Sequence, residues 1–289
     1  MTEHRLNLPA GSAGAGTTLH WHRWLPPQAS GGEPRAIVLL VHGYAEHLGR
    51  YNHVAAALTA KGFGVYALDH WGHGKSGGTP GFVPAFSAYT DGVEVLLKAV
   101  EKAHPGVPLF LIGHSMGGLI AALHLITHQA HYAGAILSGP AIMAAQEPSR
   151  FMIWISRLLS RLAPRMGVLA LDPTGVSRDP AVVAAYLADP LVYNGKMGAR
   201  LAREMFEAMA AARAGAGAIT LPMLLLHGEK DRLTAPHGSE YLHAHLGSLD
   251  NSFRLYPGLY HEIFNEPEQH EVLADVTNWL EAHLPQEPN

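Results

Sequence analysis

The chain has 289 residues, of which 48% are hydrophobic and 15% charged, so it can form one large globular domain with an inserted subdomain and is not expected to be disordered. Twenty Lys and Arg stand against 24 Asp and Glu, and this acidic balance argues against a nucleic-acid-binding protein. The absence of cysteine excludes thiol catalysis, disulfide bonds and thiolate metal sites.

The start of the chain and its apolar runs carry no signal for export or membrane insertion. The N-terminal sequence MTEHRLNLPAG lacks the apolar core of a signal peptide. The apolar runs are all shorter than the roughly 18 residues that a membrane-spanning helix needs. We therefore expect a cytoplasmic protein.

Apolar runs and helical patterns alternate along the chain, apart from one long interval. The segments predicted as strands are residues 17–25, 36–41, 64–68, 108–112, 133–137, 221–226 and 252–256. The segments predicted as helices are residues 51–61, 84–104, 116–130, 236–246 and 267–284. Strands that alternate with helices indicate an α/β fold, with a mostly parallel sheet flanked by helices on both faces.

The long interval covers residues 141–218, which have only helical and loop patterns. Because it falls between two predicted strands of the same sheet, it indicates an insertion rather than a separate terminal domain. We predict a core formed by residues 1–140 and 219–289, with residues 141–218 inserted as a helical cap.

A glycine-rich loop follows the strand predicted at 64–68. Gly72, Gly74 and Gly77 fit the dinucleotide-binding pattern G-x-G-x-x-G, and Asp91 and Glu94 lie near the distance expected of a ribose-binding acid. That pattern must open a helix, so that the pyrophosphate lies at the helix N-terminus. Here two more glycines and a proline extend the loop, so we expect a structural loop with no cofactor and disfavour an oxidoreductase.

The pattern G-x-S-x-G occurs twice, around Ser76 and around Ser115. Ser76 lies inside a loop, with no predicted strand before it and no predicted helix after it. Ser115 follows an apolar run and precedes a helical stretch, and this order of strand, tight turn and helix raises a serine hydroxyl above the edge of a sheet. We predict that Ser115 is a nucleophile; the alternative is an ordinary turn residue.

A serine nucleophile needs a base, and the base needs an acid that orients it. On such a scaffold the acid and the histidine follow the serine in that order, each just past the end of a strand. Asp231 follows the strand predicted at 221–226 and His261 follows the one at 252–256. We therefore predict a triad of Ser115, Asp231 and His261, with Glu229 as the competing acid.

Acyl transfer also needs two N–H donors for the oxyanion. One is expected from the residue after the nucleophile, which is Met116, and the other from the loop after an early strand. The strand predicted at 36–41 ends in His42-Gly43-Tyr44, so the N–H of Tyr44 is the second candidate. Gly43 allows the backbone to turn that amide inward.

These segments together resemble the monoacylglycerol lipase family of the α/β-hydrolase fold, from about residue 36 to the C-terminal helix. The resemblance rests on HGYAEHLGRY at 42–51, DHWGHGKS at 69–76, GHSMGG at 113–118, and a cap pattern with Ser177, Arg178, Tyr186 and residues 189–191. It implies a serine hydrolase for monoacylglycerols or similar small acyl esters, with no cofactor and no metal. It also implies an apolar acyl channel beneath the cap and a polar glycerol site lined by Glu46, Arg50 and Tyr186.

Three alternatives stay open within this reading of the sequence. Mammalian members of the family carry a second histidine three residues after the catalytic one, where this chain has Phe264. This departure favours a broader carboxylesterase or a lysophospholipase. Glu46 and Arg50 are also spaced i, i+4, so a simple helical ion pair explains them equally well. A non-catalytic binding protein on the same fold is the alternative of a different class, and the complete set of triad residues argues against it.

The first part of the predicted cap combines apolar and basic residues. Its apolar residues follow helical spacing, namely Phe151, Trp154, Ile155, Leu158, Leu159 and Leu162. Residues 141–218 carry nine Lys or Arg against six Asp or Glu, whereas the rest of the chain is acidic. A basic amphipathic helix predicts transient contact with an anionic lipid surface. The alternative is that the stripe packs on the core and covers the acyl channel.

His124, His128 and His131 have the spacing of one helix face, as metal ligands on a helix would. Because no carboxylate lies near them in the sequence, we predict surface histidines and no metal site.

Overall fold

The computed structural model describes residues 4–27, 33–145 and 150–285, and in the helix that begins at Arg150 it describes side chains from residue 155 onward. The strands are β1 His4–Asn7, β2 Thr18–Trp24, β3 Ala36–Val41, β4 Phe63–Leu68, β5 Leu109–His114, β6 Gly134–Ser138, β7 Gly167–Leu169, β8 Met197–Gly198, β9 Met223–Gly228 and β10 Asn251–Tyr256. The helices are α1 Asn52–Ala60, α2 Ser87–Ala103, α3 Met116–His128, α4 Arg150–Leu162, α5 Pro180–Ala188, α6 Ala199–Gly215, α7 Pro236–His245 and α8 Gln269–Ala282.

In the described part of the chain, eight of these strands form one sheet in the order β1-β2-β4-β3-β5-β6-β9-β10. At the edge formed by β1, the pairings of β1 with β2 and of β2 with β4 are antiparallel. The other strands of this sheet, β4, β3, β5, β6, β9 and β10, are parallel to one another. The predicted mostly parallel sheet is therefore confirmed. Strand β1 was not predicted, because four residues of mixed burial carry no period that stands out from a loop.

The central strands are buried on both faces, and their side chains alternate between two apolar layers. In β3, residues 37, 39 and 41 pack with α2 and α3, whereas residues 36, 38 and 40 pack with α1 and α8. All six residues of β3 are buried, which explains why the strand is a continuous apolar run rather than an alternating one. The parallel arrangement brings the C-terminal ends of β3, β5, β9 and β10 to one edge of the sheet, where the candidate residues lie.

The described part of residues 141–218 contains the α-helices α4, α5 and α6. It also contains a two-stranded antiparallel ribbon of β7 and β8, which the sequence did not predict because the strands have only three and two residues. Asp179 caps α5 by accepting a hydrogen bond from the Ala181 N–H, with Pro180 in the first turn. Among the residues that the structure describes, none of the helices is both long and apolar enough to cross a bilayer.

Candidate active site

Ser115 stands at the tip of a strained turn between β5 and α3. Its backbone has φ 56° and ψ −121°, a left-handed conformation that non-glycine residues rarely adopt. The flanking glycines are required by space, because a Cβ on Gly117 would lie 2.0 Å from the carbonyl oxygen of Val41 and one on Gly113 would lie 2.5 Å from that of Gly117. The strand–turn–helix geometry expected around Ser115 is therefore present, and it brings the serine to the edge of the sheet.

His261 and Asp231 are joined by a short hydrogen bond. The Nδ1 atom of His261 lies 2.6 Å from Oδ2 of Asp231, and both side chains are buried. The other carboxylate oxygen, Oδ1, accepts hydrogen bonds from the N–H groups of Leu233 at 2.8 Å and Thr234 at 3.0 Å. Because the orientation of Asp231 is fixed by the backbone, its carboxylate accepts the Nδ1 proton of His261, and the neutral ring then has its lone pair on Nε2.

Glu229, the competing acid, does not reach His261. Its Oε2 accepts a hydrogen bond from the Gly258 N–H at 3.0 Å, and its side chain is exposed. The loop after β9 therefore turns Asp231 toward the histidine and Glu229 toward solvent.

The charges around His261 favour its protonated form. Burial alone would lower the pKa of His261, but the charge and hydrogen bond of Asp231, together with Glu262 and Glu46, raise it above the ordinary 6.5. Burial alone would raise the pKa of Asp231, and the neighbouring histidines outweigh it and lower the pKa. Beside Ser115 in the sequence, burial and His261 lower the pKa of His114 to about 3, so its ring stays neutral. A positive charge on His261 would thereby be stabilised.

The loop after β3 is arranged to direct a backbone N–H outward from the sheet. The Nδ1 of His42 donates to the carbonyl oxygen of Gly43 at 2.8 Å, and its Nε2 accepts from the His70 N–H at 3.1 Å. In a trans peptide the C=O and the N–H point in opposite directions. The Gly43 carbonyl therefore points toward the buried His42 ring, and the N–H of Tyr44 in the same peptide points away from that ring.

Met116 offers the second amide expected for an oxyanion. It is the first residue of α3, where an N–H has no acceptor within its own helix. Tyr44 and Met116 both line the cavity that contains Ser115 and His261.

A buried charged cluster adjoins these residues. The guanidinium of Arg50 binds Glu262 through two hydrogen bonds of 2.6 and 2.7 Å and binds Glu46 at 2.9 Å. Glu46 also accepts from the Tyr51 hydroxyl at 2.7 Å, and the Arg50 guanidinium lies 4.7 Å from the ring centre of Tyr186. The i, i+4 pair of Glu46 and Arg50 therefore exists, but as part of a larger cluster that closes around one cation.

The predicted substrate-binding residues differ in their access to the cavity. Glu46 and Tyr186 line it, together with Glu262. Arg50 was also predicted to line the polar site, but it lies behind the carboxylates and is not among the lining residues. Phe264 is 2% exposed and packs in the apolar layer with α1 and α8, so it does not occupy the position of a polar head-group ligand.

The cavity has a volume of about 420 Å³ and both polar and apolar lining. Asp172 and Tyr186 are the polar lining residues from 141–218 and the other polar lining comes from the rest of the chain, whereas much of the apolar lining comes from residues 141–218. Helix α6 contributes four residues spaced to face one side, Ala202, Met205, Phe206 and Met209. Such a cavity suits a ligand with a long apolar part and a reactive polar group near Ser115.

The glycine-rich loop and the three spaced histidines take other roles. The Asp69 carboxylate holds the loop by accepting from the N–H groups of Leu48 and Lys75, and α2 begins only at residue 87. The described residues contain no cluster of three or more metal-ligating side chains. The prediction that His124 is a surface residue was wrong: it is 1% exposed and bonded to the Tyr132 hydroxyl at 3.0 Å.

Three residues near the site were missed by reasoning from the sequence. Glu262 follows the predicted histidine directly, and a charged residue at that position was an available signal. Thr234 donates to Asp231 at 2.8 Å, and His42 holds the Gly43 carbonyl. Neither contact has a sequence signal, since each depends on how a loop closes.

Comparison with known proteins supports the assignment of the fold and its class. Residues 32–268 match the family described as serine aminopeptidase S33. A monoacylglycerol lipase of Mycolicibacterium smegmatis is 43% identical over 269 residues, which cover 93% of this chain and 95% of that protein. The monoglyceride lipase of Homo sapiens is 32% identical over 264 residues, which cover 91% of this chain and 84% of that protein.

A solved structure of a related enzyme has the same fold. The crystal structure of Paleococcus ferrophilus monoacylglycerol lipase superposes with a TM-score of 0.82 at 34% identity, covering 92% of this chain and 99% of that chain. The fold is the α/β-hydrolase fold, and the chain is a carboxylic ester hydrolase. It belongs to the monoacylglycerol lipase family within the serine aminopeptidase S33 group.

Proposed function

We propose that this chain hydrolyses monoacylglycerols to fatty acid and glycerol through an acyl-enzyme on Ser115. The observation that carries the proposal is that Ser115 and His261 line the same cavity. Ser115 stands on a strained turn, and His261, oriented by Asp231 at 2.6 Å, lines the same cavity. The relatives named above are monoacylglycerol and monoglyceride lipases, which supports this substrate class.

The reaction follows from the roles of these three side chains. His261 removes the hydroxyl proton of Ser115 as its oxygen attacks the ester carbonyl, and the N–H groups of Tyr44 and Met116 stabilise the oxyanion. His261 then gives the proton to the departing glycerol oxygen, which leaves the acyl group on Ser115. Water, deprotonated by His261, attacks that acyl group and releases the fatty acid. One oxyanion donor contributes about 2.7–4 kcal/mol to lowering the barrier.

We propose that residues 141–218 form the cap of the acyl channel and that Glu46 and Tyr186 bind the glycerol head group, with Arg50 holding Glu46 in place. Two hydrogen bonds join the cap to residues 42–47, the loop after β3 that we call the oxyanion loop. His47 Nε2 donates to Asp189 at 2.9 Å, and the Tyr193 N–H donates to the Ala45 carbonyl at 2.8 Å. The apolar lining from α6 would then contact the acyl chain.

Steady-state hydrolysis of 1-lauroylglycerol and p-nitrophenyl butyrate tests the proposal. We expect wild type to cleave both and Ser115→Ala to lose about 10⁶-fold in kcat for both, as when a triad serine is removed. Ser76→Ala is the matched control, because Ser76 has the same local motif but its hydroxyl bonds to the backbone, donating to the Asp69 carbonyl and accepting from the His20 N–H. A Ser115→Ala enzyme with substantial activity would exclude the proposed mechanism.

A broad carboxylesterase is the second candidate, and the position of Phe264 favours it. This residue is buried in the apolar layer, so it adds no polar contact for glycerol. If wild type cleaves p-nitrophenyl butyrate but not 1-lauroylglycerol, the result supports the proposed triad and excludes the proposed glycerol site.

We further propose that the cap makes transient contact with anionic lipid. Phe151 and Trp154 of the predicted stripe lie outside the described side chains. Of the others, Leu158 and Leu162 are exposed, and so are Met166, Val168 and Leu169 close by in the sequence. Arg157 and Arg161 are exposed on the same helix. An apolar surface beside cations suits an anionic bilayer.

Co-sedimentation with vesicles tests this contact. Wild type should pellet more with anionic than with neutral vesicles at low salt, and Leu162→Glu should lower that fraction. Leu249→Glu is the control, since Leu249 is fully exposed on the loop between α7 and β10, outside helix α4. Equal pelleting with both kinds of vesicle excludes the electrostatic contact.

A further inference from the structure

Asp231 faces a second histidine besides His261. His227, the fifth residue of β9, is fully buried, and its Nε2 lies 3.0 Å from Oδ2 of Asp231. The same nitrogen lies 3.4 Å from the hydroxyl oxygen of Thr234, which is itself 2.8 Å from that carboxylate oxygen. The mechanism described above gives His227 no role, although it touches the acid that orients the base.

The surroundings of His227 fix its tautomer. Its Nδ1 lies 2.8 Å from the hydroxyl oxygen of Ser239, which is fully buried on α7. An unprotonated Nε2 would point its lone pair at the Asp231 carboxylate, which is unfavourable. The arrangement that satisfies both ends has the Ser239 hydroxyl donating to Nδ1 and the Nε2 proton shared between Asp231 and Thr234.

We propose that His227 is a positioning residue for ester hydrolysis: held by Ser239, it anchors the Asp231 carboxylate at Oδ2, the oxygen that His261 also contacts. The proposal rests on the proposed function, since it assumes that Asp231 orients the base. The triad then continues as a buried series of hydrogen bonds that runs from His261 through Asp231 and His227 to Ser239 on helix α7.

The expected consequence concerns the basicity of Asp231. A second donor stabilises the carboxylate and weakens its hold on the His261 proton, so removing the donor should raise the pKa of His261. Among the described residues, the other titratable groups that act on His261 are His114, Glu262 and Glu46. None of these contacts His227, so a change at residue 227 should reach His261 through Asp231.

The test compares His227→Gln with His227→Met. The two side chains are similar in size, but only glutamine offers an N–H near the position of Nε2. We expect His227→Met to lower kcat for 1-lauroylglycerol about ten- to a hundredfold, as for loss of a hydrogen bond to a charged group, with little change in KM. Its acidic limb of kcat/KM should move to higher pH, while His227→Gln stays close to wild type. Ser239→Ala should lower kcat and move the acidic limb of kcat/KM to higher pH, as His227→Met does, but by a smaller amount.

Equal kcat and equal pH limbs for the Gln and Met variants would overturn the proposal and leave the triad intact. Activity in Ser115→Ala would instead overturn the proposed function. Thermal unfolding and titration with a fluorophosphonate establish the amount of folded, reactive enzyme in each variant. If His227→Met does not fold, ¹⁵N-histidine spectra of wild type, assigned with His227→Gln, decide the matter: His227 should carry its proton on Nε2, and the opposite tautomer overturns the proposal.

Discussion

Arg50 and Glu262 are 212 residues apart in the chain and form a bidentate salt bridge beside the cavity, with N–O distances of 2.6 and 2.7 Å. Because Glu46 shares the same guanidinium at 2.9 Å, one cation lies between two buried carboxylates. Burial and the neighbouring Glu262 raise the pKa of Glu46, whereas Arg50 lowers that of Glu262 despite its burial. The cluster thus joins the loop after β3 to the segment that carries His261.

Removing the shared cation should destabilise the fold more than removing one carboxylate. Arg50→Met leaves Glu46 and Glu262 buried without their partner, and we expect a loss of about 3–5 kcal/mol in the free energy of unfolding. Glu262→Gln leaves Arg50 paired with Glu46 and should cost clearly less. The double variant should recover part of the loss of Arg50→Met. Urea unfolding of the three variants measures this order, and equal losses for both single variants would show that the net charge of the cluster is unimportant.

The pH profile of wild type should show an acidic limb set by His261. The base must be neutral in the free enzyme, so kcat/KM is retained above the pKa of His261 and is lost as the pH falls through it. Because Asp231 and the nearby carboxylates raise that pKa, the midpoint should lie above 6.5.

Glu262→Gln should shift this limb to lower pH, because it removes one of the negative charges that favour the imidazolium. Profiles of kcat/KM for 1-lauroylglycerol between pH 5 and 9 measure the shift. Glu266→Gln serves as the control, since Glu266 is also buried but binds Arg178 instead of Arg50. A limb that moves equally in both variants would mean that the effect is not local to His261.

The buried His42 ring should be needed for the oxyanion amide of Tyr44. Asn can donate from nearly the same position as Nδ1, whereas Leu, which is similar in size to Asn, cannot. We expect His42→Leu to lose about 10²–10³-fold in kcat, comparable to losing one oxyanion donor, and His42→Asn to recover much of it. KM should change little, because the amide acts mainly in the transition state. Equal kcat for the two variants, at equal folded fraction, would show that the hydrogen bond from His42 does not orient the Tyr44 amide.

The core of the fold was predictable because its strands are uniformly apolar. Strand β3 was placed at residues 36–41 from its apolar run alone, and the structure has the same bounds. The loops after β5, β9 and β10 could be assigned because a parallel sheet gathers strand ends at one edge. The ribbon of β7 and β8 could not be predicted, since two such short strands have no readable period.

Contacts made across loops were less accessible to sequence reasoning. Arg50 was placed on the cavity wall, but whether it faces the cavity depends on Glu262, whose position is set by the turn after β10. The burial of His124 depends on Tyr132 folding back over α3. In both cases the deciding partner is a side chain beyond the element that carries the residue, and periodicity along one element gives no information about it.

The choice between Asp231 and Glu229 can be decided by two isosteric variants. Asp231→Asn keeps the shape of the side chain but removes the charge, and its amide would favour the wrong tautomer of His261, so we expect a fall in kcat of about 10⁴-fold. Glu229→Gln should retain nearly wild-type kcat, because Glu229 is exposed and contacts the Gly258 N–H and Lys230. Single-turnover hydrolysis of p-nitrophenyl butyrate separates this loss from product release. The geometry favours Asp231, because its carboxylate lies 2.6 Å from His261. A greater loss of kcat in Glu229→Gln than in Asp231→Asn would contradict this assignment.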